Sequence, residues 1–253
     1  MKRRVMHGSS HNNLPHLEPR YIGGNNGSID GVGINLTDSI TLARNYAEND
    51  GSIYLIDIDI SNYLTVSKDT LLSPNQADRL KSILSQLPNE LQYRLATDMC
   101  GKEDHVFDND KGAEDFYKKN RGEIREMNLG LDRLKPEIDY HDDGRMMILV
   151  AHNDFGKLQE ISTFQIHRAL NLYDNELASN ILKEIAGGLV LACDNNKKNY
   201  LSFNPTEAIT ATLDSSFLSR PNANTLIKGS CEKYSTDTVN QKEKEHQSPD
   251  CSL

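Results

Sequence analysis

The first quarter of the chain contains three short segments whose apolar residues have the spacing typical of β-strands. The first is the β-prone pair Val5-Met6, and the second runs from Gly33 to Leu36. The third, Ser52 to Ile60, is rich in β-branched residues and alternates apolar and acidic positions in its second half. The pattern therefore predicts a strand, a long loop and then two further strands.

A helix is predicted between the second and third of these strands. Thr37, Asp38 and Ser39 are residue types that cap helix N-termini, and apolar residues follow at helical spacing as far as Ala47. Tyr46 is expected about two turns into this helix. Two interpretations of Tyr46 are open. It is either a core residue on the inner face of the helix or a residue whose ring contacts a ligand.

The middle of the chain changes to a helical pattern. Helices are predicted over 75–87, 90–99, 113–134, 155–172 and 175–186. A charged connection is expected from Gly101, and a strand is predicted from Arg145 to Ala151. We interpret residues 67–140 as a helical insertion into a domain that is formed by residues 1–66 and 141–215.

The last part of the chain combines strand-like segments with a polar tail. Gly187 to Ala192 is an apolar segment that begins with glycine, and a late strand is expected from Asn199, ending at Phe203-Asn204-Pro205. Residues 216–253 lack apolar periodicity and are rich in Ser, Thr, Asn, Lys and Glu. They are therefore expected to form a disordered tail.

Composition restricts the classes of protein that need to be considered. The 253 residues are 37% hydrophobic, and 28 basic against 37 acidic residues give a formal net charge of -9, which argues against nucleic-acid binding. No apolar run approaches membrane-spanning length, and the N-terminus lacks the hydrophobic region of a secretion signal. The four cysteines show no paired spacing, so neither a zinc site nor a disulfide framework is expected. A cytoplasmic protein without a membrane partner is the expectation.

Several of these segments occur in the order of a known signature. They are His7-Gly8-Ser9, Gly33, Thr37, Tyr46 and Phe203-Asn204-Pro205. With them the chain resembles the ADP-ribosyltransferase superfamily, in the branch of diphtheria toxin and the poly(ADP-ribose) polymerases. In that family His-Gly-Ser/Thr opens the signature, and a Gly-x-(Tyr)-x-Thr-x segment precedes a helix with a tyrosine. The resemblance covers residues 1–66 and the last third before the tail.

The resemblance implies a substrate and a set of binding residues. NAD would be the substrate, bound by His7, Gly8, Ser9, Asn35, Thr37 and Tyr46, although Asn35 stands where the family often has an aromatic residue. His7 would bond the adenosine ribose, and Gly8 and Ser9 would hold the nicotinamide carboxamide. Tyr46 would stack on the nicotinamide ring. Breaking the bond between nicotinamide and ribose requires no metal.

One departure from the family pattern concerns catalysis. The family has a glutamate just before the late strand, where it bonds the nicotinamide ribose and assists attack at its anomeric carbon. Asn199 stands at that position, so the implied catalytic set is His7, Tyr46 and Asn199. Asparagine still bonds a ribose hydroxyl, but it carries no negative charge. Three carboxylates are candidates to replace the glutamate in space, namely Glu160, Asp194 and Glu207.

The resemblance also implies a fold and an activity. The expected fold class is α+β, an ADP-ribosyltransferase-like split β-sandwich in which two packed antiparallel sheets flank the NAD cleft, with the helical insertion added. The expected activity is mono-ADP-ribosyl transfer from NAD to a macromolecular acceptor, a protein. A host protein is the expected partner if the chain is a bacterial effector that is delivered into a host cell. The alternative is a catalytically silent binding module that acts on a protein partner through the helical insertion.

Three other groups of residues contain side chains of the types that bind metal ions. Asp57-Ile58-Asp59 has the Asp-x-Asp arrangement by which many glycosyltransferases hold a divalent cation, and a solvated strand edge explains it equally well. His141-Asp142-Asp143 is similar to motifs of metal-dependent phosphohydrolases but lacks a second His-Asp pair. His7, His11 and His16 are close in sequence, but the intervening Gly, Asn and Pro residues exclude a helical ligand face. We therefore expect no metal site.

Overall fold

The computed structural model describes residues 1–18, 31–48, 50–127, 134–152, 155–192 and 197–213. Within these residues the protein has a mixed α+β fold with six α-helices and two β-sheets, which confirms the predicted class. The chain divides into two compact units. Unit 1 takes its residues from Met1–Ser67 and Asn175–Leu253, and unit 2 comprises Lys68–Asp174. The predicted tail, 216–253, lies outside the described residues.

The elements of unit 1 are β1 (Lys2–Ser9), β2 (Ile34–Thr37), α1 (Ile40–Ala47), β3 (Ser52–Asp59), a 3-10 turn (Ile60–Asn62), β4 (Tyr63–Val66), α6 (Asn175–Leu182), β8 (Gly188–Ala192), β9 (Lys198–Ser202) and β10 (Ile209–Leu213). Those of unit 2 are α2 (Pro74–Leu84), α3 (Asn89–Cys100), β5 (Lys102–Phe107), α4 (Asp110–Glu126), β6 (Glu137–Tyr140), β7 (Met146–Ala151) and α5 (Thr163–Tyr173).

All strands of unit 1 belong to one sheet, in the order β10-β3-β1-β2-β9-β8-β4. β1 pairs with β3 along its whole length, and β2 pairs with β9 along its whole length. Between β1 and β2, however, the register consists of the single pair Met6↔Thr37. The sheet therefore has two halves, β10-β3-β1 and β2-β9-β8-β4, which are joined at one point. The pairing is antiparallel except between β4 and β8, which are parallel, so the expectation of purely antiparallel sheets is wrong there.

Both faces of this sheet are apolar. On one face Met6, Ile53 and Leu55 pack with Ala43 and Ala47 of α1. The other face carries a larger cluster with members from β1, β2, β3, β8 and β9: Val5, Leu17, Ile34, Leu36, Tyr54, Ile56, Ile58, Val190 and Tyr200. β3 contributes to both clusters, which explains why its first five residues are all buried.

The late part of unit 1 departs from the prediction in one respect. The sequence indicated a late strand that ends at Pro205, and β9 accounts for it. β10, at Ile209–Leu213, was missed. β10 has the β-branched residues Ile209, Thr210 and Thr212, which favour strands, but its middle is exposed, and pairing with the buried β3 places it in the sheet.

Unit 2 contains a three-stranded antiparallel sheet, β5-β7-β6, together with four helices. The predicted helices over 75–87 and 90–99 correspond to α2 and α3, and the one over 113–134 corresponds to α4, which ends at Glu126. The predicted charged connection after Gly101 is instead β5. Its Lys, Glu and Asp residues have low strand propensity, and pairing with β7 from Lys102↔Ala151 to Phe107↔Met146 imposes the conformation.

α5 begins later than the predicted helix over 155–172. The side chain of Ser162 caps it by accepting a hydrogen bond from Gln165 N, and Thr163 N donates to Thr70 O at 2.8 Å. Phe155 and Leu158 are buried, but they lie in turns rather than in the helix. Apolar spacing alone does not distinguish a buried turn from a helix, and the contact with Thr70 decides between them.

α1 lies very close to β1 because two glycines leave room for it. A Cβ atom on Gly8 would lie 1.8 Å from the carbonyl oxygen of Ala43, and one on Gly51 would lie 1.9 Å from that of Ala47. No side chain fits at such distances, so both glycines are required for the helix to reach the sheet. Gly187 differs, because a Cβ there would be no closer than 3.6 Å to any neighbour.

Replacement of Gly8 by alanine is therefore expected to destabilise unit 1. We expect Gly8→Ala to lower the free energy of unfolding by about 3 kcal/mol, as overpacking does when backbone has to move. Gly187→Ala is the matched control and should change it by less than about 1 kcal/mol. Urea unfolding of the three proteins measures both values. Equal stability of the two variants would show that α1 does not depend on Gly8.

Candidate functional site

The point where the two halves of the sheet separate is the candidate site. β1 and β2 meet at Met6↔Thr37, and beyond that pair the register of His7, Gly8 and Ser9 runs to β3 alone. At the separation, the imidazole Nδ1 of His7 lies 2.8 Å from the carbonyl oxygen of Asn35. A side chain thus takes the place of a backbone hydrogen bond between the strands, and the two strand edges remain apart.

The environment of His7 fixes its protonation state. Burial lowers the pKa of His7 below its ordinary value of 6.5, and the hydrogen bond with the Asn35 carbonyl opposes this only in part. The ring is therefore neutral near pH 7. A carbonyl accepts hydrogen bonds only, so we assign the proton to Nδ1, which leaves the lone pair of Nε2 as an acceptor.

The packing of α1 on β1 also determines where Tyr46 lies. The turn that carries it, 43–47, lies directly on the backbone of Gly8. Ala43 and Ala47 fill the inner face of the helix, and the Tyr46 side chain is 51% exposed. The explanation of Tyr46 as a core residue is therefore wrong. Its ring is accessible, and α1 lies on the face of the sheet opposite to the one that His7 occupies.

Gly8 and Ser9 have structural contacts of their own. Gly8 accommodates α1, as described above. Ser9 is buried, and its hydroxyl accepts a hydrogen bond from His11 N at 3.1 Å. Tyr54 holds the same segment, because its hydroxyl donates to His11 O at 2.7 Å and accepts from Leu14 N at 3.2 Å. The chain that leaves β1 is thus fixed at the mouth of the separation.

Thr37 connects β2, α1 and β9. Its hydroxyl accepts from Ser39 N at 3.0 Å and donates to Lys198 O at 3.4 Å. Asp38 adds a second connection, since its carboxylate accepts from Lys198 N at 2.8 Å. The hydroxyl of Thr37 therefore holds backbone in this structure, and the site of which it is part is rigid on the β2 side.

Asn199 and His7 emerge on opposite faces of the sheet. Directly paired residues share a face, so the register Met6↔Thr37↔Asn199 places Asn199 on the face that α1 covers. His7 pairs with Tyr54 and faces the other side. The side-chain oxygen of Asn199 is buried and has no hydrogen-bond partner within the described residues. A buried amide oxygen without a partner is costly, and a ligand donor would satisfy it.

The three carboxylates that could replace the family's glutamate lie in different parts of the structure. Glu160 is exposed and belongs to unit 2, and Asp194 lies outside the described residues. Glu207 is 7% exposed and accepts hydrogen bonds from the Ser202 hydroxyl and, at 2.9 Å, from the Asn204 amide. Ser202 lies on the same sheet face as Tyr200, which is the face of His7. Of the described candidates, Glu207 is the one in unit 1.

The surroundings of Glu207 are apolar and carry negative charge. The pKa of the neighbouring Tyr63 phenol is raised to about 12, mainly by burial and in part by the charge of Glu207, while a hydrogen bond with Ser202 acts in the opposite direction. The backbone of Glu207 is also fixed, since it exchanges two hydrogen bonds with Leu17 at 2.9 and 3.0 Å. A rigid, weakly solvated carboxylate interacts strongly with any cation that forms nearby.

Two of the candidate metal-binding motifs are occupied by contacts within the protein. Arg4 binds both carboxylate oxygens of Asp57, at 2.7 and 2.8 Å, and Asp59 accepts from the Met1 amino group at 2.7 Å. His141-Asp142-Asp143 forms the turn between β6 and β7, closed by the bond from His141 N to Arg145 O. Within the described residues, no group of three or more His, Cys, Asp or Glu side chains is arranged to hold a metal ion.

A cavity of about 610 Å³ lies elsewhere, within unit 2 beside α5. The pattern of residues along the chain does not predict this cavity. Its lining residues come from α3, α5 and the segment that precedes α2, so only the tertiary structure assembles them. The apolar residues on the outer face of α5 are the feature of the sequence that could have indicated this cavity.

Comparison of the chain with protein-family models, curated proteins and solved structures yields no match. No helix in the described part of the chain combines the length and the apolar character that crossing a bilayer requires.

The depressed pKa of His7 predicts a pH dependence of stability. The unfolded chain binds a proton at His7 below pH 6.5, whereas the folded chain binds it only at lower pH. The contribution of His7 to the free energy of unfolding is therefore present above pH 6.5 and is lost as the pH falls through the window below it. Urea unfolding at pH 7.5 and 5.0 should show a larger loss for the wild type than for His7→Gln. Equal losses would mean that His7 is not buried in its neutral form.

Proposed function

We propose that unit 1 binds NAD where β1 and β2 separate, and transfers ADP-ribose from it to a protein acceptor. The observation that carries this proposal is the single register pair Met6↔Thr37, which joins two halves of one sheet beside His7 and Tyr46. A split β-sandwich of the kind that the sequence resembles requires such a division, because its NAD cleft lies between the halves.

The groups at the separation suit the parts of NAD. The neutral imidazole of His7 offers Nε2 as an acceptor to a ribose hydroxyl, and its other nitrogen is held by Asn35. The accessible ring of Tyr46 offers a flat face to nicotinamide. The buried oxygen of Asn199 accepts from an amide or hydroxyl donor. A ligand inserted between the strands reaches groups from both faces of the sheet.

We assign the missing negative charge to Glu207. When nicotinamide leaves, it takes the electron pair of the glycosidic bond, and the ribose carbon becomes cationic. A nucleophile of the acceptor then forms the new bond to that carbon and gives its proton to solvent. Glu207 shares the sheet face of His7 and is held by Ser202 and Asn204 in weakly solvated surroundings, where its charge stabilises the cation most.

Nicotinamide release tests the activity. Purified protein with NAD and host-cell lysate is expected to release nicotinamide and to label a protein band from tagged NAD. His7→Ala and Tyr46→Ala should each reduce release by about 100-fold, because they remove groups that position the substrate. Tyr140→Ala is the matched control, since Tyr140 is also exposed, at 64%, but lies on β6 of unit 2, and it should retain activity. NAD binding without release in any lysate would indicate the silent binding module instead.

A pair of substitutions tests the carboxylate. Glu207→Gln keeps the shape and the acceptor oxygen but removes the charge, and should lower turnover by about 100-fold to 1,000-fold with little change in NAD affinity. Asn199→Ala removes a binding group without altering charge, so it should weaken NAD binding by about 10-fold and affect the maximal rate less. Calorimetry and single-turnover release measure the two effects. Full activity of Glu207→Gln would eliminate Glu207 from the mechanism.

A further inference from the structure

The outer face of α5 carries an unusual sequence of side chains. A helix that packs on a domain core normally presents polar residues to solvent. The inner face of α5 is apolar as expected, with Ile166, Ala169 and Leu170 buried. On the outer face, however, Phe164, Arg168 and Leu172 follow one another at four-residue spacing, and Phe164 and Leu172 are 38% and 66% exposed. Two large apolar side chains thus flank a cation in solvent.

The segment that precedes α2 extends this surface. Leu71 is 52% exposed and forms a β-bridge with Ser162, at the start of α5. Lys68 places its ammonium group 6.0 Å from the centre of the Phe164 ring, within range of a cation-π interaction. The cavity of about 610 Å³ lies between this segment, Asp98 of α3 and α5. We call this surface, formed by Lys68, Leu71, Phe164, Arg168 and Leu172, the α5 groove.

Charge distinguishes the α5 groove from the rest of the molecule. The chain carries a net charge of -9, yet two cations against one carboxylate, Asp98, line the cavity here, and neither Lys68 nor Arg168 forms an ion pair within the described residues. Exposed Arg and aromatic side chains around a concave apolar surface are the composition of a binding site for a protein. The overall negative charge disfavours extended polyanions such as nucleic acids or anionic bilayers.

We propose that the α5 groove is a docking site for an acidic segment of a protein partner. An apolar side chain of that segment rests on Phe164 and Leu172, and a carboxylate lies between Lys68 and Arg168. That the partner is the acceptor of ADP-ribose rests on the proposed function. The docking itself uses residues of unit 2 alone and needs no NAD, so it is tested independently.

Selection of peptides on the full-length protein tests the docking site. A display library of random twelve-residue peptides is selected against the wild type, and an enriched peptide is then synthesised with a fluorescent label. Enrichment of Asp and Glu next to Leu, Ile or aromatic residues is expected. Anisotropy should show that Lys68→Glu together with Arg168→Glu weakens binding by about 100-fold, and that Leu172→Ala weakens it by about 10-fold.

Two exposed cations of α4 provide the matched control. Lys118→Glu together with Arg121→Glu changes the charge of unit 2 by the same amount away from the groove, and should leave binding within about 2-fold. Failure to enrich acidic peptides, equal loss in both double variants, or displacement of the peptide by ATP would overturn the proposal. Nicotinamide release is measured on the same proteins, so loss of the proposed activity with retained peptide binding, or the reverse, separates the two proposals.

Discussion

The arrangement of unit 1 depends on the contact between α1 and the backbone of Gly8. The helix lies so close to β1 that a single methyl group at Gly8 would overlap the carbonyl oxygen of Ala43. This approach buries Ala43 and Ala47, fixes which face of β1 is covered, and leaves Tyr46 at the accessible flank of the helix. The position of Tyr46 is therefore a consequence of close packing. Gly8, which follows His7, is required by the fold whether or not a ligand binds beside it.

Hydrogen bonding sets the chemistry that the sheet supports. Where β1 and β2 separate, the His7 imidazole bonds to backbone, and burial keeps the ring neutral. Beyond the C-terminal end of β9, Glu207 accepts hydrogen bonds from Ser202 and Asn204. Burial there also raises the pKa of Tyr63. The proposed transfer uses both groups, the neutral acceptor to bind a ribose hydroxyl and the constrained anion to stabilise a cationic ribose carbon. Asn199, on the other face, is suited to binding rather than to charge stabilisation.

The two units divide the work that the proposals assign to the chain. Unit 1 carries a sheet with two halves, to which the proposal assigns NAD binding, and the hydroxyl of Thr37 in this sheet holds backbone in place. Unit 2 carries an exposed apolar and cationic surface that its own core does not need. Chemistry on rigid strands and recognition on a separate surface allow the partner to change without disturbing the reacting groups.

The sequence by itself determined the α+β class, the strands around His7 and Ser52–Asp59, and most of the helices, because apolar spacing and capping residues act locally. It did not determine β5, whose charged residues form a strand through pairing with β7, or β10, an exposed strand that pairs with β3. Nor did it decide among Glu160, Asp194 and Glu207, or place Asn199 and His7 on opposite faces. Those outcomes depend on register and on contacts between residues far apart in the chain, and a one-dimensional pattern contains neither.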